Sequence, residues 1–260
     1  MLHYDHYYTI GVTHPVCEDY AAQGDTPTPF IVLSDGCSAS ENSEVGARIL
    51  TLTTKYIIEN ATPWPLDYLS FGQQLISKAL GIAEQLQQPP SVLDATVMLA
   101  FLHQDSIMVY VYGDGCLLFK DHAGNLGTIE IAFTHNAPYY LTYWCDEQRW
   151  LEYAISEPKP LVLTDSVNGV SEPKPFQTQL AFCLPLKKFK VIAIASDGAT
   201  HCINTRKSVK LPLDEIATNL LAFQNLKDEF VKRHTKSTLE QYATQGIYPA
   251  DDLSIGVFCQ

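Results

Sequence analysis

The order of strand and helix patterns predicts an α+β fold of packed layers, and three observations carry this. Helical patterns come in pairs. Strand patterns come in runs between those pairs, not in a βαβ alternation. At least one strand is apolar along its whole length, as expected when both faces are covered. Length and composition allow it: 260 residues, 46% hydrophobic and 18% charged, can bury a sizeable core.

The opening YYTIGVTH alternates aromatic and β-branched residues and reads as a strand. DTPTP is a turn, and residues 30–34 (FIVLS) form a buried strand. After a loop at 35–43, SEVGARILTLTTKYIIEN carries Val45, Ile49, Leu52 and Tyr56 at helical spacing. Asn42 or Ser43 is its expected cap, and Glu44 suits the first turn. TPWP ends this helix, and a second spans roughly 66–87, up to QPP. DATVMLAFLH and SIMVYVYGDG are β-rich runs joined by QD, which reads as a hairpin; CLLFK, the turn DHAGN and LGTIEIAFT continue the meander. Residues 135–185 are poorly periodic and rich in Pro, Tyr and Trp, and are expected to form a long irregular insertion. FKVIAIASDG is a buried strand, 213–245 reads as two helices, and DDLSIGVFC is a closing strand. With no repeat, low-complexity tract or linker, one domain over 1–260 is the expectation.

The net charge of −12 argues against a nucleic-acid surface, which needs Lys and Arg to neutralise phosphates. The seven cysteines are odd in number, form no CxxC pair and sit mostly in apolar contexts, so they read as reduced thiols of a cytoplasmic protein. The N-terminus lacks the basic and apolar regions of a signal peptide, and no window approaches eighteen uninterrupted apolar residues, so no membrane span is expected.

Acidic residues stand where predicted strands begin or end: Glu18 and Asp19 in VCEDY, Asp35 in SDGC, Asp114 in GDGC, Asp197 in SDGA, and Asp251 and Asp252 in ADDLS. Carboxylates gathered in one pocket are costly unless cations neutralise them, and hard divalent cations prefer oxygen ligands. Glycine beside an aspartate lets a backbone carbonyl join the ligand set. Asp-Gly is also a common turn dipeptide, so spacing alone leaves the turn and cation readings both open.

CEDY, IVLSDGCSASENSEVGARI, ATVMLAFL, YVYGDGCLLF, VIAIASDGAT and ADDLSIGVF together resemble the ordered motif series of the metal-dependent protein phosphatases, the PPM or type 2C family, from Cys17 to Phe258. The resemblance implies a four-layer α/β/β/α sandwich: two antiparallel β-sheets flanked by pairs of helices. It implies a metal-dependent phosphomonoester hydrolase, acting on phosphoserine and phosphothreonine in proteins through a water activated by two Mg²⁺ or Mn²⁺ ions for in-line attack on phosphorus. Carried over by position, Asp35 would bridge the two ions, with the Gly36 carbonyl and Glu18 on the second and Asp197 and Asp251 on the first. Asp19 would orient ligands from behind, and Asp114 would help hold a weaker third ion. No covalent nucleophile is implied. The expected partner is a phosphoprotein substrate, with neither nucleic acid nor membrane, and a monomer is the working expectation.

The chain departs from the family pattern at several positions. His14 stands where many members place a phosphate-binding arginine, and is the candidate phosphate contact. Asp252 replaces the usual asparagine, GDGC replaces GDSR, Cys37 stands where His or Met is frequent, and His201 stands where an aspartate is frequent. Thr96 reads as structural. Tyr139, Tyr140, Tyr143 and Trp144 form either a recognition surface or a local core. The alternative function is a catalytically weak module of the same fold that binds a protein partner.

Overall fold

The structure is a computed structural model that describes all 260 residues. Its strands are β1 (His3–Thr9), β2 (Asp19–Gly24), β3 (Phe30–Gly36), β4 (Ala95–His103), β5 (Ser106–Tyr112), β6 (Gly115–Asp121), β7 (Leu126–Phe133), β8 (Leu161–Asp165), β9 (Val170–Lys174), β10 (Leu180–Pro185), β11 (Phe189–Ala195), β12 (Cys202–Asn204), β13 (Val209–Lys210), β14 (Ile247–Pro249) and β15 (Leu253–Cys259). The helices are α1 (Ser43–Asn60), α2 (Tyr68–Gln85), α3 (Glu147–Ser156), α4 (Leu213–Leu220) and α5 (Phe230–Thr244).

Two large antiparallel sheets stack face to face, one ordered β1-β15-β11-β6-β7-β8-β9 and the other β10-β5-β4-β3-β2. A small third sheet, β13-β12-β14, lies beside them. Three hydrophobic clusters fill the gaps. Ile31, Leu33, Met98, Val109, Leu117, Ile192 and Ile194 meet between the two large sheets. Phe30, Val32, Val97, Leu99 and Phe101 point the other way, onto Leu50, Ile57, Phe71 and Leu75 of α1 and α2. On the far side, Leu118, Val191, Ala193, Ile255 and Val257 pack against Ile216, Leu220, Phe230 and Tyr242 of α4 and α5. The expected α/β/β/α sandwich is therefore the observed one. It also explains why β3 reads as unbroken FIVL: alternate residues serve two different cores.

The structure corrects three local expectations. α2 begins at Tyr68, because the Asp67 side chain accepts a hydrogen bond from Ser70 N at 3.0 Å and caps it there. α1 has no side-chain cap: Asn42 adopts a left-handed conformation (φ 56°), and its amide donates instead to Gln88 Oε1. Residues 135–185 are not irregular throughout. They contain α3 and strands β8, β9 and β10, which extend the free edges of both large sheets.

This segment is tied to the rest through one buried carboxylate. Asp94, just before β4, receives both guanidinium nitrogens of Arg149 on α3, at 3.1 and 2.9 Å, and the Thr142 hydroxyl. Arg149 also lies over the Tyr143 ring, 4.4 Å from its centroid. The Asp94 carbonyl accepts Cys37 N at 2.9 Å, so the same residue anchors the loop after β3. Removing the guanidinium leaves a buried charge short of donors, and Arg149→Ala is expected to lower stability by about 2 kcal/mol. Denaturant midpoints measure this; an unchanged midpoint would show the clamp to be energetically idle.

Candidate active site

Antiparallel pairing decides where the acidic residues gather. The C-terminal end of β3 lies beside the N-terminal ends of β2 and β4, and Asp35 faces Asp19 on one side and Thr96 on the other. The C-terminal end of β11 likewise lies between the starts of β6 and β15. Asp114 immediately precedes β6, Asp197 follows β11 by one residue, and Asp251 and Asp252 lead into β15. All these ends lie at one end of the sandwich. Asp35 has the parity of Ile31 and Leu33, so it projects between the sheets.

The result is a cleft of 290 Å³ lined by Asp35, Gly36, Cys37, Ser38, Ala39, Thr96, Asp114, Asn136, Pro138, Tyr140, Asp197 and Asp251. No lysine or arginine lines it. A larger cavity of 580 Å³ next door is lined by Tyr68, Tyr139, Tyr143, Trp144, Trp150 and Phe176 among others; its single carboxylate, Glu147, makes it a poor place for cation chemistry. The two cavities share a wall, for Pro138 and Tyr140 face the cleft while Tyr139 and Leu141 face the aromatic cavity. Tyr139 and Tyr143 pack at tilted or edge-on angles against Tyr153, and Tyr139 also against Phe176, so these rings form a local core.

Close approach of the loops needs glycine. A Cβ on Gly198 would lie 1.8 Å from the Asp252 carbonyl oxygen, so any side chain there pushes the Asp197 and Asp252 loops apart. A Cβ on Gly36 would meet Ser43 at 2.8–2.9 Å, at the start of α1.

Hydrogen bonds hold the carboxylates that stand behind the cleft. Ser196 donates its hydroxyl to Asp19 Oδ2 at 2.8 Å, while Asp19 Oδ1 is buried without a partner. Glu18 accepts the hydroxyls of Ser38 and Ser43 at 2.6 and 2.5 Å. Asp252 is 1% exposed, and its two oxygens accept Gly11 N at 2.7 Å and Glu18 N at 2.5 Å. Both contacts call for an acceptor, which a carboxylate supplies twice and an asparagine amide once. Thr96 donates to Asp114 Oδ1 at 2.5 Å.

His14, the candidate phosphate contact, does not line the cleft. Its Nδ1 lies 3.5 Å from Glu18 and 3.3 Å from Asp252, and its Nε2 lies 3.3 Å from Asp251. Burial disfavours the charged imidazole, but Asp251, Asp252 and Glu18 outweigh it and raise the pKa above the usual histidine range. His14 thus stands behind the cleft, among Glu18, Asp251 and Asp252. His201 goes the other way: burial and the Lys210 cation lower its pKa, against the pull of Asp251 and Asp114, so its imidazole is neutral.

The cleft carboxyls are perturbed by the same two forces. Burial first, then the repulsion of Asp19, Asp197, Asp114 and Asp251, pushes Asp35 well above the carboxylate range. Burial carries Asp19 to about 8 against the hydrogen bond from Ser196. Burial and Asp197 carry Asp114 to about 7, and burial and Asp251 carry Asp197 to about 6. The donors fit hard divalent cations: several carboxylate oxygens and a glycine carbonyl at one end of the sandwich, with no Lys or Arg to neutralise them. Two triplets of ligand atoms lie within 4.8 Å of one another: His14, Glu18 and Asp252, and Asp197, His201 and Asp251. Ser38 and Ser43, which hold Glu18, are additions to the residues singled out from the sequence. Their contacts depend on loop packing that spacing along the chain does not encode.

A sequence model of the family described as protein phosphatase 2C matches residues 12–240. The fold is similar to that of the Staphylococcus aureus serine/threonine phosphatase Stp1, at 14% identity and a TM-score of 0.60, covering all of this chain and 95% of that one. The S. agalactiae serine/threonine phosphatase gives 15% identity and a TM-score of 0.60, covering 100% and 99%. The catalytic domain of the serine/threonine protein phosphatase PstP, in complex with two manganese ions, gives 14% identity and a TM-score of 0.54, covering 99% and 97%. No curated protein matches the chain significantly. No helix is long and apolar enough to cross a membrane.

Raised carboxyl pKa values mean that the folded, cation-free protein binds protons which the unfolded chain has released, so its stability falls as pH rises from about 4 towards 8. Bound cations remove that penalty. Added Mn²⁺ is therefore expected to raise the melting temperature of EDTA-treated protein more at about pH 8 than at about pH 5. An equal rise at both values would contradict the assignment of these carboxyls to cation binding.

Proposed function

The chain belongs to the protein phosphatase 2C family, and on that premise we propose that it is a metal-dependent phosphatase of phosphoserine and phosphothreonine in proteins, all of it acting as one catalytic domain. The observation that carries this reading is the meeting of Asp35, Asp114, Asp197 and Asp251 with the Gly36 backbone in one cleft free of Lys and Arg.

On this reading Asp35, Asp197, Asp251, Glu18 and the Gly36 carbonyl would together hold two divalent cations, Mg²⁺ or Mn²⁺. When bound, such cations supply the positive charge that acidifies water and offsets charge developing on a phosphoryl group. The chain's own residues provide the frame. Ser38 and Ser43 orient Glu18, and Ser196 fixes Asp19 behind Asp35. Thr96 holds Asp114 at the cleft wall, where it can help keep a weaker third cation. Tyr140 also lines the cleft, and burial together with Asp114, Cys37 and Asp35 pushes its pKa far above the ordinary phenol range, so it remains a neutral hydroxyl able to donate to a phosphoryl oxygen. No covalent phosphoenzyme is invoked, and Cys37 has no role as a nucleophile.

The partner-binding alternative is not favoured. Of the aromatic residues after β7 that would form its surface, Tyr139 and Tyr140 are buried and Tyr143 packs in the local core.

Purified protein is expected to hydrolyse an aryl phosphate and phosphoserine or phosphothreonine peptides with Mn²⁺ and to stop when EDTA is added. Asp35→Asn and Asp197→Asn should each lower kcat by about 100-fold or more, the scale of losing a group that helps offset transition-state charge. Absence of cation-dependent turnover on both substrate classes would overturn the proposal. Faster turnover of nucleotides or sugar phosphates would move it to small-molecule phosphoesters.

A further inference from the structure

We propose that His201 makes the cation position beside Asp197 and Asp251 a mixed nitrogen–oxygen site, which takes a transition-metal dication in preference to Mg²⁺. The proposal rests on the cation-dependent reading above and deepens it for one position.

Geometry and unused donors carry the argument. His201 Nδ1 lies 3.5 Å from Asp197 Oδ2 and 3.7 Å from Asp251 Oδ2. Ligands held about 2.1 Å from one ion stand about 3.0–3.4 Å apart in octahedral or tetrahedral arrangement, so a slight rotation of each side chain closes the triplet. The ring nitrogen is buried and has no hydrogen-bond partner. A buried polar atom without a partner is unusual and calls for an explanation. Asp251 Oδ2 likewise accepts no hydrogen bond, since the one bond to this carboxylate, from Asp252 N, goes to Oδ1. The imidazole nitrogen and this oxygen thus have lone pairs to spare, with Asp197 Oδ2 within reach of the same point.

Backbone contacts hold the triplet together. Asp197 and His201 are four residues apart across a single 3₁₀ turn, braced by the Thr200 hydroxyl on the Asp197 carbonyl at 2.8 Å. The His201 carbonyl accepts Ala250 N at 2.9 Å, which fixes it next to Asp251, and Cys202 pairs with Pro249 between β12 and β14. The triplet around His14 does not qualify in the same way. There both oxygens of the buried Asp252 are occupied by the Gly11 and Glu18 amides.

Donor chemistry then selects the ion. Mg²⁺ favours oxygen ligands and sheds water reluctantly, whereas imidazole suits first-row transition metals. An aspartate at this position would leave an all-oxygen set suited to Mg²⁺. Histidine shifts the preference.

The test uses the full chain with Mn²⁺ as probe. Pulsed electron paramagnetic resonance of the loaded protein should show ¹⁴N coupling that disappears in His201→Asp and His201→Asn and survives in His14→Gln. The Mg²⁺ concentration that displaces half of the Mn²⁺ should fall about tenfold in His201→Asp. Bound Mn²⁺ without ¹⁴N coupling, coupling that survives in the His201 variants, or unchanged competition by Mg²⁺ would each overturn the proposal. The readout needs no substrate. A protein that hydrolyses phosphopeptides but binds Mn²⁺ through oxygen alone overturns only this inference. Nitrogen-ligated Mn²⁺ in a protein without phosphatase activity supports it and overturns only the phosphatase reading.

Discussion

Repulsion among carboxylates crowded at one end of the sandwich is the constraint on which the rest of this structure turns. Asp19 and Asp35 face each other across neighbouring strands, an arrangement that is unfavourable for like charges on a sheet. Asp114, Asp197 and Asp251 add to it from the second sheet. No Lys or Arg lines the cleft to relieve this charge, and His14, standing behind, and the Lys210 cation offset only part of it. Three hydrophobic clusters supply the burial that holds the strand ends together regardless. Stability in the body of the fold thus maintains local strain at its end, as functional sites commonly require.

The same logic accounts for the ties around the cleft. Gly198 admits the Asp252 carbonyl at a distance no side chain permits. Ser196 links Asp19 to the β11–β15 end through Ser254 N, so the two sheets are joined by hydrogen bonds where they are pushed apart by charge. Asp94 connects the loop after β3 to α3 through Arg149, which makes the segment over the cleft part of the frame.

Much of this was legible in the residues, and the gaps have physical causes. FIVLSDG announces a doubly buried strand that ends in a carboxylate, and the helix pairs announce the outer layers. That Asp35 would face Asp19 was not legible, because pairing register between strands is set in three dimensions. β9 and β10 escaped notice because β9 is almost wholly exposed and β10 lies at a sheet edge, so neither needs an apolar pattern. α3 spans only ten residues and buries only Tyr153, so burial places little demand on its sequence. That His14 stands beside Asp251 and Asp252 was not legible either, because they are more than two hundred residues away in the chain.

The most direct test of the account is a count of protons released when Mn²⁺ binds, from calorimetry in buffers of different ionisation enthalpy. If buried carboxyls share protons until cations replace them, binding at about pH 6.5 must release protons, and the number must decline towards about pH 9. Binding that releases none across this range would mean that the cluster is fully ionised without cations, and the account would fail at its base.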